Sequence, residues 1–233
     1  MMRKKIVSLC MALVLCLGLL PVTALAAEGA PSQLYVGNQQ VISGSDITCW
    51  TTDEGGNLTR SAADQSWNVK YDPASATLTL KDANISGSYN QQFNPHTAGI
   101  YALCSSGQSV ALTIELIGTN TITGYYGIFL NAEIDASSYG TNATLTITGE
   151  NNGSLGVSGS DHGIYVKSGT GNASINIKNV AVTSSTNGNN AAGVYVMSSM
   201  YATSSPQLSL KVNGGSLTAS GIGCRRWRGW CHC

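Results

Sequence analysis

Four segments of this chain share one short pattern, in which a glycine is followed by an aliphatic residue and then an aromatic residue. They are Gly99-Ile100-Tyr101, Gly127-Ile128-Phe129, Gly163-Ile164-Tyr165 and Gly193-Val194-Tyr195. The four glycines are separated by 28, 36 and 30 residues, and the stretches between them resemble short strands. A repeat of about thirty residues that carries only strand-like segments predicts a solenoid of stacked β-coils.

Two further strand types recur between these segments, and both alternate aliphatic residues with threonine, serine or asparagine. The first type contains Leu78/Leu80, Leu112/Ile114, Leu145/Ile147, Ile175/Ile177 and Leu208/Leu210, and the second contains Ile85, Ile122, Val157, Val182 and Ala219. This alternation is typical of strands with one buried face. A β-sandwich also uses short strands and polar turns. The recurrence of the same three strand types favours an all-β, parallel β-helix.

The residues that precede the repeats are expected to close one end of the solenoid. Residues 28–75 contain two hairpin patterns, one around Gly37-Asn38-Gln39 and one around Asp72-Pro73-Ala74-Ser75. The first coil of a solenoid exposes its apolar face and its strand edge unless another segment covers them. We therefore predict an N-terminal β-hairpin cap over residues 28–75 and β-helix repeats over residues 76–223.

Residues 1–27 have the three parts of a secretory signal peptide. Basic residues up to Lys5 precede an apolar run from Ile6 to Leu20, and small residues follow at Ala24 and Ala26. The apolar run is shorter than the roughly 18 to 20 residues that span a bilayer. We expect the segment to be cleaved and the mature chain to have no membrane span. The predicted location is secreted and extracellular, with association with the cell wall as one form of it.

The charge of the mature chain excludes one class of function. Without residues 1–27, nine basic and twelve acidic side chains remain, a net charge of −3. Proteins that bind nucleic acid carry a basic face that neutralises phosphates, so a nucleic-acid partner is not expected.

The last residues, 224–233, are rich in cysteine, arginine and tryptophan, unlike the sequence before them. We interpret them as an anomalous tail produced by truncation or a frameshift, since the coil that begins at Leu217 shows no further glycine-isoleucine-tyrosine step. The alternative is a metal site, for which the tail offers Cys224, Cys231, His232 and Cys233. The pattern specifies no cofactor, and calcium is left open. Cys49 and Cys104 are predicted to be either paired or free.

The repeats resemble the right-handed parallel β-helix, or pectate-lyase-like, superfamily, which includes pectate lyases, polygalacturonases, adhesins and carbohydrate-binding proteins. The resemblance covers roughly residues 76 to 221. The glycine-isoleucine-tyrosine steps and the opening Tyr71-Asp72-Pro73-Ala74 before Leu78-Thr79-Leu80 are most similar to secreted carbohydrate-binding-domain repeat proteins of anaerobic Gram-positive bacteria. The resemblance implies a right-handed coil and a polysaccharide or cell-wall glycan as partner.

One segment raises the question of catalysis. Asp161-His162 before Gly163-Ile164 is similar to the polygalacturonase segment that holds a catalytic histidine, but that family's Asn-Thr-Asp, Asp-Asp and Arg-Ile-Lys segments have no counterpart in this sequence. We therefore predict that the protein is not an enzyme. The alternative is a degenerate or fragmentary pectin-type hydrolase or lyase, in which His162 would act with a carboxylate.

The strongest candidate for a binding site is the aromatic position of the repeat. If the aliphatic residue of each step faces inward, alternation turns the next residue outward on one face of the solenoid. The candidate ligand-binding residues are Tyr101, Phe129, Tyr165 and Tyr195. Aromatic rings bind the CH faces of sugars, and nearby hydroxyls and amides bind their polar groups. A ladder that only stabilises the coil is the competing interpretation.

The sequence thus predicts a secreted, non-catalytic β-helix that binds polysaccharide or acts as an adhesin at the cell surface. It would be a monomer or part of a longer surface protein. A second alternative, besides the degenerate enzyme, is a structural stalk within such a longer protein.

Overall fold

A computed structural model describes residues 26–62, 65–87, 98–135, 138–139, 141–149, 153–189, 191–199, 205–226 and 229–230. These residues contain strands and no helix. The strands are β1 (Gln33–Val36), β2 (Gln39–Gln40), β3 (Thr48–Thr52), β4 (Leu58–Ser61), β5 (Val69–Asp72), β6 (Thr77–Lys81), β7 (Asn84–Ser86), β8 (Ala98–Leu103), β9 (Val110–Ile117), β10 (Thr119–Gly124), β11 (Tyr126–Asn131), β12 (Glu133–Asp135), β13 (Ser138–Tyr139), β14 (Ala143–Gly149), β15 (Ser154–Gly159), β16 (Ile164–Ser168), β17 (Ala173–Lys178), β18 (Ala181–Thr186), β19 (Val194–Ser198), β20 (Leu208–Asn213), β21 (Ser216–Ala219), β22 (Ile222–Arg226) and β23 (Gly229–Trp230).

Each repeat contributes one strand to each of three parallel sheets, and the repeats stack as five layers. Sheet 1 contains β6, β9, β14, β17 and β20; sheet 2 contains β7, β10, β15, β18 and β21; sheet 3 contains β8, β11, β16, β19 and β22. Within these sets every neighbouring pair is parallel. The prediction of an all-β parallel β-helix is confirmed, and the antiparallel β-sandwich is excluded. Right-handedness stays a prediction.

The aliphatic residue of the glycine-isoleucine-tyrosine step forms a continuous interior ladder. Ile100, Ile128, Ile164 and Val194 lie opposite one another in successive layers of sheet 3. None of these side chains is exposed. They belong to a single hydrophobic core that runs through all three sheets. Stacking like residues above like residues removes their apolar surface from water, and this burial is the main stabilising contribution.

The predicted alignment of the other two strand types is corrected at three positions. Leu78 lies opposite Ile114 rather than Leu112. Leu210, and not Leu208, lies opposite Ile175. Val182 lies opposite Leu155 rather than Val157. Each difference is two residues, so the same side chains still face inward. A pattern of period two cannot distinguish registers that differ by two residues, which explains the error.

The glycine of the repeat is required by the close approach of neighbouring layers. A Cβ atom on Gly127 would lie 2.6 Å from the carbonyl oxygen of Gly163 and would overlap Val157. A Cβ on Gly163 would meet the carbonyl oxygen of Gly193 in the same way, also at 2.6 Å. Backbone atoms at this distance cannot move aside as a flexible side chain can, so no other residue fits.

Antiparallel hairpins cover the N-terminal end of the stack. The β1–β2 hairpin pairs with β8 at the edge of sheet 3. Strands β3, β4 and β5 extend sheet 1 beside β6. Trp50 and Leu58 of these strands are 5% and 4% exposed and belong to the same core as the repeats. The hairpins therefore close the core and protect the first parallel strands, as predicted for the cap.

The last layer differs from the layers before it. Gly221-Ile222-Gly223 returns to sheet 3, with Ile222 opposite Val194 and Gly223 opposite Tyr195. The coil thus returns to sheet 3 without a further glycine-isoleucine-tyrosine step, because Gly223 occupies the position of the aromatic residue. Ile222 is 51% exposed, and Val212 in β20 is 41% exposed, so this layer is less buried than the others.

The predicted termini fall largely beyond what the structure describes. Residues 1–25 of the predicted signal peptide and residues 227–228 and 231–233 of the tail lie outside the described residues. The backbone of β22 and β23 continues sheet 3 into the tail. Among the described residues no helix combines the length and apolar character needed to cross a bilayer. Cys49 and Cys104 are buried, free thiols, and burial raises the pKa of each.

Candidate functional site

The four candidate aromatic residues lie in register on the outer face of sheet 3. Tyr101 is opposite Phe129, Phe129 is opposite Tyr165, and Tyr165 is opposite Tyr195. The Phe129 and Tyr165 rings are stacked, with centroids 4.6 Å apart and planes 3° apart. The rings of Tyr101 and Phe129 are 5.1 Å apart, and those of Tyr165 and Tyr195 are 5.3 Å apart. We call these four residues the aromatic ladder.

The ladder forms a second hydrophobic cluster, separate from the interior core. Tyr101 is 5% exposed and Tyr165 is 8% exposed, whereas Phe129 and Tyr195 are half-buried. Aromatic rings in such contact stabilise a structure beyond the burial of their area. The surface that a ligand could reach on the ladder is therefore concentrated at Phe129 and Tyr195.

Sequence reasoning missed Tyr126, which belongs to the same cluster. Its ring lies 4.8 Å from that of Phe129 and 5.5 Å from that of Tyr165, and the residue is 8% exposed. Tyr126 precedes Gly127 and lies one position outside the repeated pattern, so the repeat does not reveal it. The adjacent pair of tyrosines at 125 and 126 was the available signal.

The structure brings the Asp161-His162 pair to the edge of the ladder. The His162 ring stacks on Tyr195 at 4.6 Å, with planes 14° apart. Its Nδ1 accepts a hydrogen bond of 3.0 Å from the backbone N–H of Ala192. Its Nε2 lies 3.9 Å from Oδ1 of Asp161. Nδ1 accepts, so the neutral ring carries its proton on Nε2, on the side of the carboxylate.

Burial is the main cause of the pKa shifts of His162 and Tyr126. It lowers the pKa of His162, although the carboxylate of Asp161 acts in the opposite direction. Burial also raises the pKa of Tyr126, and the nearby Asp161 carboxylate, which accepts a hydrogen bond from the Tyr126 hydroxyl, raises it further. His162 is thus held neutral between aromatic rings, where its hydrogen bond positions the loop that leads into β19.

A groove lies beside the ladder, where each strand of sheet 2 turns toward sheet 3. Its volume is about 320 Å³. We call it the corner groove, and it is lined by Ser86, Gly87, Thr123, Gly124, Tyr125, Ser158, Gly159, Ser160 and Asn187. Sequence reasoning did not identify it, although serine or threonine followed by glycine recurs at the end of the second strand type.

A second cleft of similar volume, about 320 Å³, lies on the outer face of sheet 1. It contains charged side chains, namely Lys70, Asp72 and Glu115, among several threonines. Oγ1 of Thr79 donates a hydrogen bond of 3.1 Å to Oε2 of Glu115. The two depressions therefore differ in chemistry, because the described residues that line the corner groove include no charged side chain.

The described residues contain no group of three or more histidine, cysteine, aspartate or glutamate side chains arranged to hold a metal ion. The metal alternative for the tail falls on side chains that the structure does not describe.

Fold and site together define a parallel β-helix that carries an aromatic ladder and, on the adjoining surface, a groove lined by hydroxyl-bearing residues and glycine. Comparison with protein-family models, curated proteins and solved structures found no match to this chain. The chemistry of these surfaces is the basis for assigning a function.

Proposed function

We propose that this protein binds polysaccharide without altering it and acts in adhesion at the cell surface. The observation that carries the proposal is the registered aromatic ladder on the outer face of sheet 3. Four rings in successive layers make an apolar strip, and the hydroxyls of the corner groove border it. Sugars present apolar CH faces together with hydroxyl groups, so they complement a surface that combines both kinds of group.

The composition of the other faces is consistent with this proposal. Outward positions of sheet 2 are occupied by hydroxyl-bearing or small residues, as in the opposed Thr121, Gly156 and Thr183. Such a surface has little charge to attract nucleic acid or an ionic partner.

The proposed location is extracellular, with association with the cell wall as its adhesive form. This proposal is supported by the signal-peptide pattern of residues 1–27. The similarity to the pectate-lyase-like superfamily, and to carbohydrate-binding-domain repeat proteins of anaerobic Gram-positive bacteria, points in the same direction. The chain would act as a monomer or within a longer surface protein.

The ladder is tested by replacing Tyr165 and Tyr195 with alanine and measuring retention on immobilised glycans. We expect retention to be lost while the far-UV circular dichroism of the β-structure is kept. Trp67→Ala is the matched control, since Trp67 is a half-buried aromatic residue on the cap, next to Lys70. Equal retention by the ladder variant and the control would contradict the role of the ladder.

Tyr165 is almost fully buried, so the double variant could lose stability as well as binding. The single variant Tyr195→Ala removes a half-buried ring and separates the two effects. A folded Tyr195→Ala protein with weaker retention supports the proposal. If the Tyr195→Ala protein is folded and its glycan retention equals that of the unmodified chain, Tyr195 is not part of the site.

A degenerate pectin-type hydrolase or lyase is the second candidate, favoured by the proximity of His162 to Asp161 at 3.9 Å. In this arrangement His162 would exchange a proton through Nε2 while Asp161 orients it. Release of reducing ends or of unsaturated products from pectic substrates distinguishes an enzyme from a binding protein. The structural-stalk alternative predicts neither glycan retention nor product release.

A further inference from the structure

We infer that the corner groove is a subsite for an uncharged polysaccharide whose chain runs across the layers, along the axis of the solenoid. The inference rests on the proposed function and adds the place, the direction and the class of the ligand. Four features of the groove support it. They are its row of hydroxyls, its floor of backbone atoms, its aromatic end and the lack of charged side chains among its described lining residues.

The row of hydroxyls runs in the direction of stacking. Ser86 lies opposite Thr123, and Thr123 lies opposite Ser158, so three consecutive layers each present one hydroxyl. All three residues are exposed on the outer face of sheet 2. Adjacent strands are about 4.8 Å apart, which sets the spacing between the hydroxyls. An extended chain of β-1,4-linked pyranoses advances by a similar distance per sugar, so one sugar per layer can meet one hydroxyl.

Backbone forms the floor of the groove. Gly124 and Gly159 lie opposite each other, and each directly follows a residue of the hydroxyl row in the same strand. A Cβ on Gly124 would lie 2.5 Å from the carbonyl oxygen of Tyr126. Glycine at this position therefore lets the end of β10 pack closely against the backbone of sheet 3. Because Gly124 and Gly159 line the groove without a side chain, a sugar ring can approach their peptide groups closely.

Tyr125 provides the aromatic end of the groove. It is half-buried, and its ring makes an edge contact of 5.0 Å with Tyr126, which packs under the ladder. The backbone around it is fixed by two hydrogen bonds. The N–H of Asp161 donates to the carbonyl of Tyr125 at 2.8 Å, and the N–H of Ser160 donates to the carbonyl of Gly124 at 3.0 Å.

The backbone beside Asn187, another lining residue of the groove, is also held in position. The exposed Asn187 follows Thr186, whose hydroxyl donates to the carbonyl oxygen of Asp161 and accepts a hydrogen bond of 3.1 Å from the N–H of Gly188. The end of this loop is held by the hydrogen bond that the N–H of Ala192 donates to Nδ1 of His162. A site whose walls are fixed before binding loses less conformational entropy when a ligand enters.

None of the groove's lining residues within the described part of the chain is charged, and this distinguishes neutral from acidic sugars. Serine, threonine, asparagine, tyrosine and glycine line the corner groove. An acidic sugar would lose hydration of its carboxylate in this groove without gaining a cationic partner from the lining, and that desolvation is unfavourable. Neutral hydroxyls exchange water for protein hydrogen bonds at a much smaller cost.

The test measures binding of three soluble hexasaccharides by calorimetry: cellohexaose and xylohexaose, which are neutral, and hexagalacturonate, which is acidic. We expect a neutral hexasaccharide to bind and hexagalacturonate not to bind. Ser158→Ile fills the groove and removes the central hydroxyl, so affinity for the neutral ligand should fall by about tenfold or more. Tyr125→Ala should also lower the affinity for the neutral ligand.

Thr183→Ile is the control, because Thr183 is exposed on the same face of sheet 2 but outside the groove. Isoleucine is favourable in strands, so both variants are expected to fold, which circular dichroism checks. Equal affinity of Ser158→Ile and Thr183→Ile overturns the groove assignment while leaving the proposed function in place. Preferential binding of hexagalacturonate overturns the neutral class. If none of the three ligands binds and retention on immobilised glycans is also absent, the proposed function fails as well.

Discussion

At the scale of single residues, the glycine of each repeat determines how closely the layers of sheet 3 can stack. Gly99, Gly127 and Gly163 occupy equivalent places at the start of their strands, and each faces backbone atoms of the next layer. The sequence could predict that these glycines repeat. It could not reveal that the cause is interlayer contact rather than an unusual backbone angle, because the contact joins residues about thirty positions apart.

Replacing Gly127 with alanine tests this steric role. The added methyl group would lie 2.6 Å from the carbonyl oxygen of Gly163, so the layers must separate. We expect a loss of about 1–3 kcal/mol in the free energy of unfolding, as found for overpacked sites. The matched control is Gly156→Ala, whose methyl group would have its nearest neighbours at 3.9 Å. Urea unfolding of both variants gives the comparison, and equal stability of the two would show that Gly127 is not sterically required.

The aromatic residues illustrate a limit of sequence reasoning at this scale. Alternation along the strand predicts that Tyr165 projects away from the core, and Tyr165 lies in the outer cluster. Its exposure of only 8% results from neighbours in other layers, including Tyr126. Such neighbours follow from the three-dimensional register, so the sequence could place the ladder but not its degree of burial.

At the scale of elements, the strands are short, and each depends on the layers above and below it. The strands of the inner layers have neighbours on both sides, whereas β20 and β21 lie at the edges of their sheets. Side chains in the same ladder should therefore contribute differently to stability according to their layer. Stability in stacked repeats is a sum of contributions within and between neighbouring units.

The pair Ile164→Ala and Ile222→Ala tests this dependence on layer. Both residues occupy the same interior ladder of sheet 3, but Ile164 is 0% exposed and Ile222 is 51% exposed. We expect Ile164→Ala to reduce the free energy of unfolding by about 2–5 kcal/mol, because a buried cavity forms. Ile222→Ala should reduce the free energy of unfolding by a clearly smaller amount. Thermal or urea denaturation measures both, and comparable losses would mean that the terminal layer is packed as tightly as the inner ones.

At the scale of the whole molecule, the repeat allowed the architecture to be predicted from sequence, and the hairpin patterns allowed the cap to be predicted. The return of the last coil was missed, because Gly223 stands where the other layers have an aromatic ring. The corner groove was missed for a different reason. Ser86, Thr123 and Ser158 are ordinary strand-end residues in the sequence, and they become one surface only when the register of three layers is known.

The ladder and the groove both require this register of the layers, and an engineered disulfide can test it. Thr144 and Ser174 lie opposite each other on the outer face of sheet 1, and their hydroxyls are 3.1 Å apart. Paired positions in neighbouring strands are about 4.8 Å apart, whereas an offset of two residues increases the separation to about 8 Å. A disulfide needs Cα atoms within about 7 Å.

The decisive measurement is peptide mapping by mass spectrometry after mild oxidation of two double variants. The registered pair, Thr144→Cys with Ser174→Cys, is expected to form its disulfide in nearly all molecules while the β-structure is kept. The offset pair, Thr146→Cys with Ser174→Cys, is expected to remain largely unlinked. Efficient linkage of the offset pair together with failure of the registered pair would contradict the stacked, in-register solenoid on which the ladder and the groove both depend.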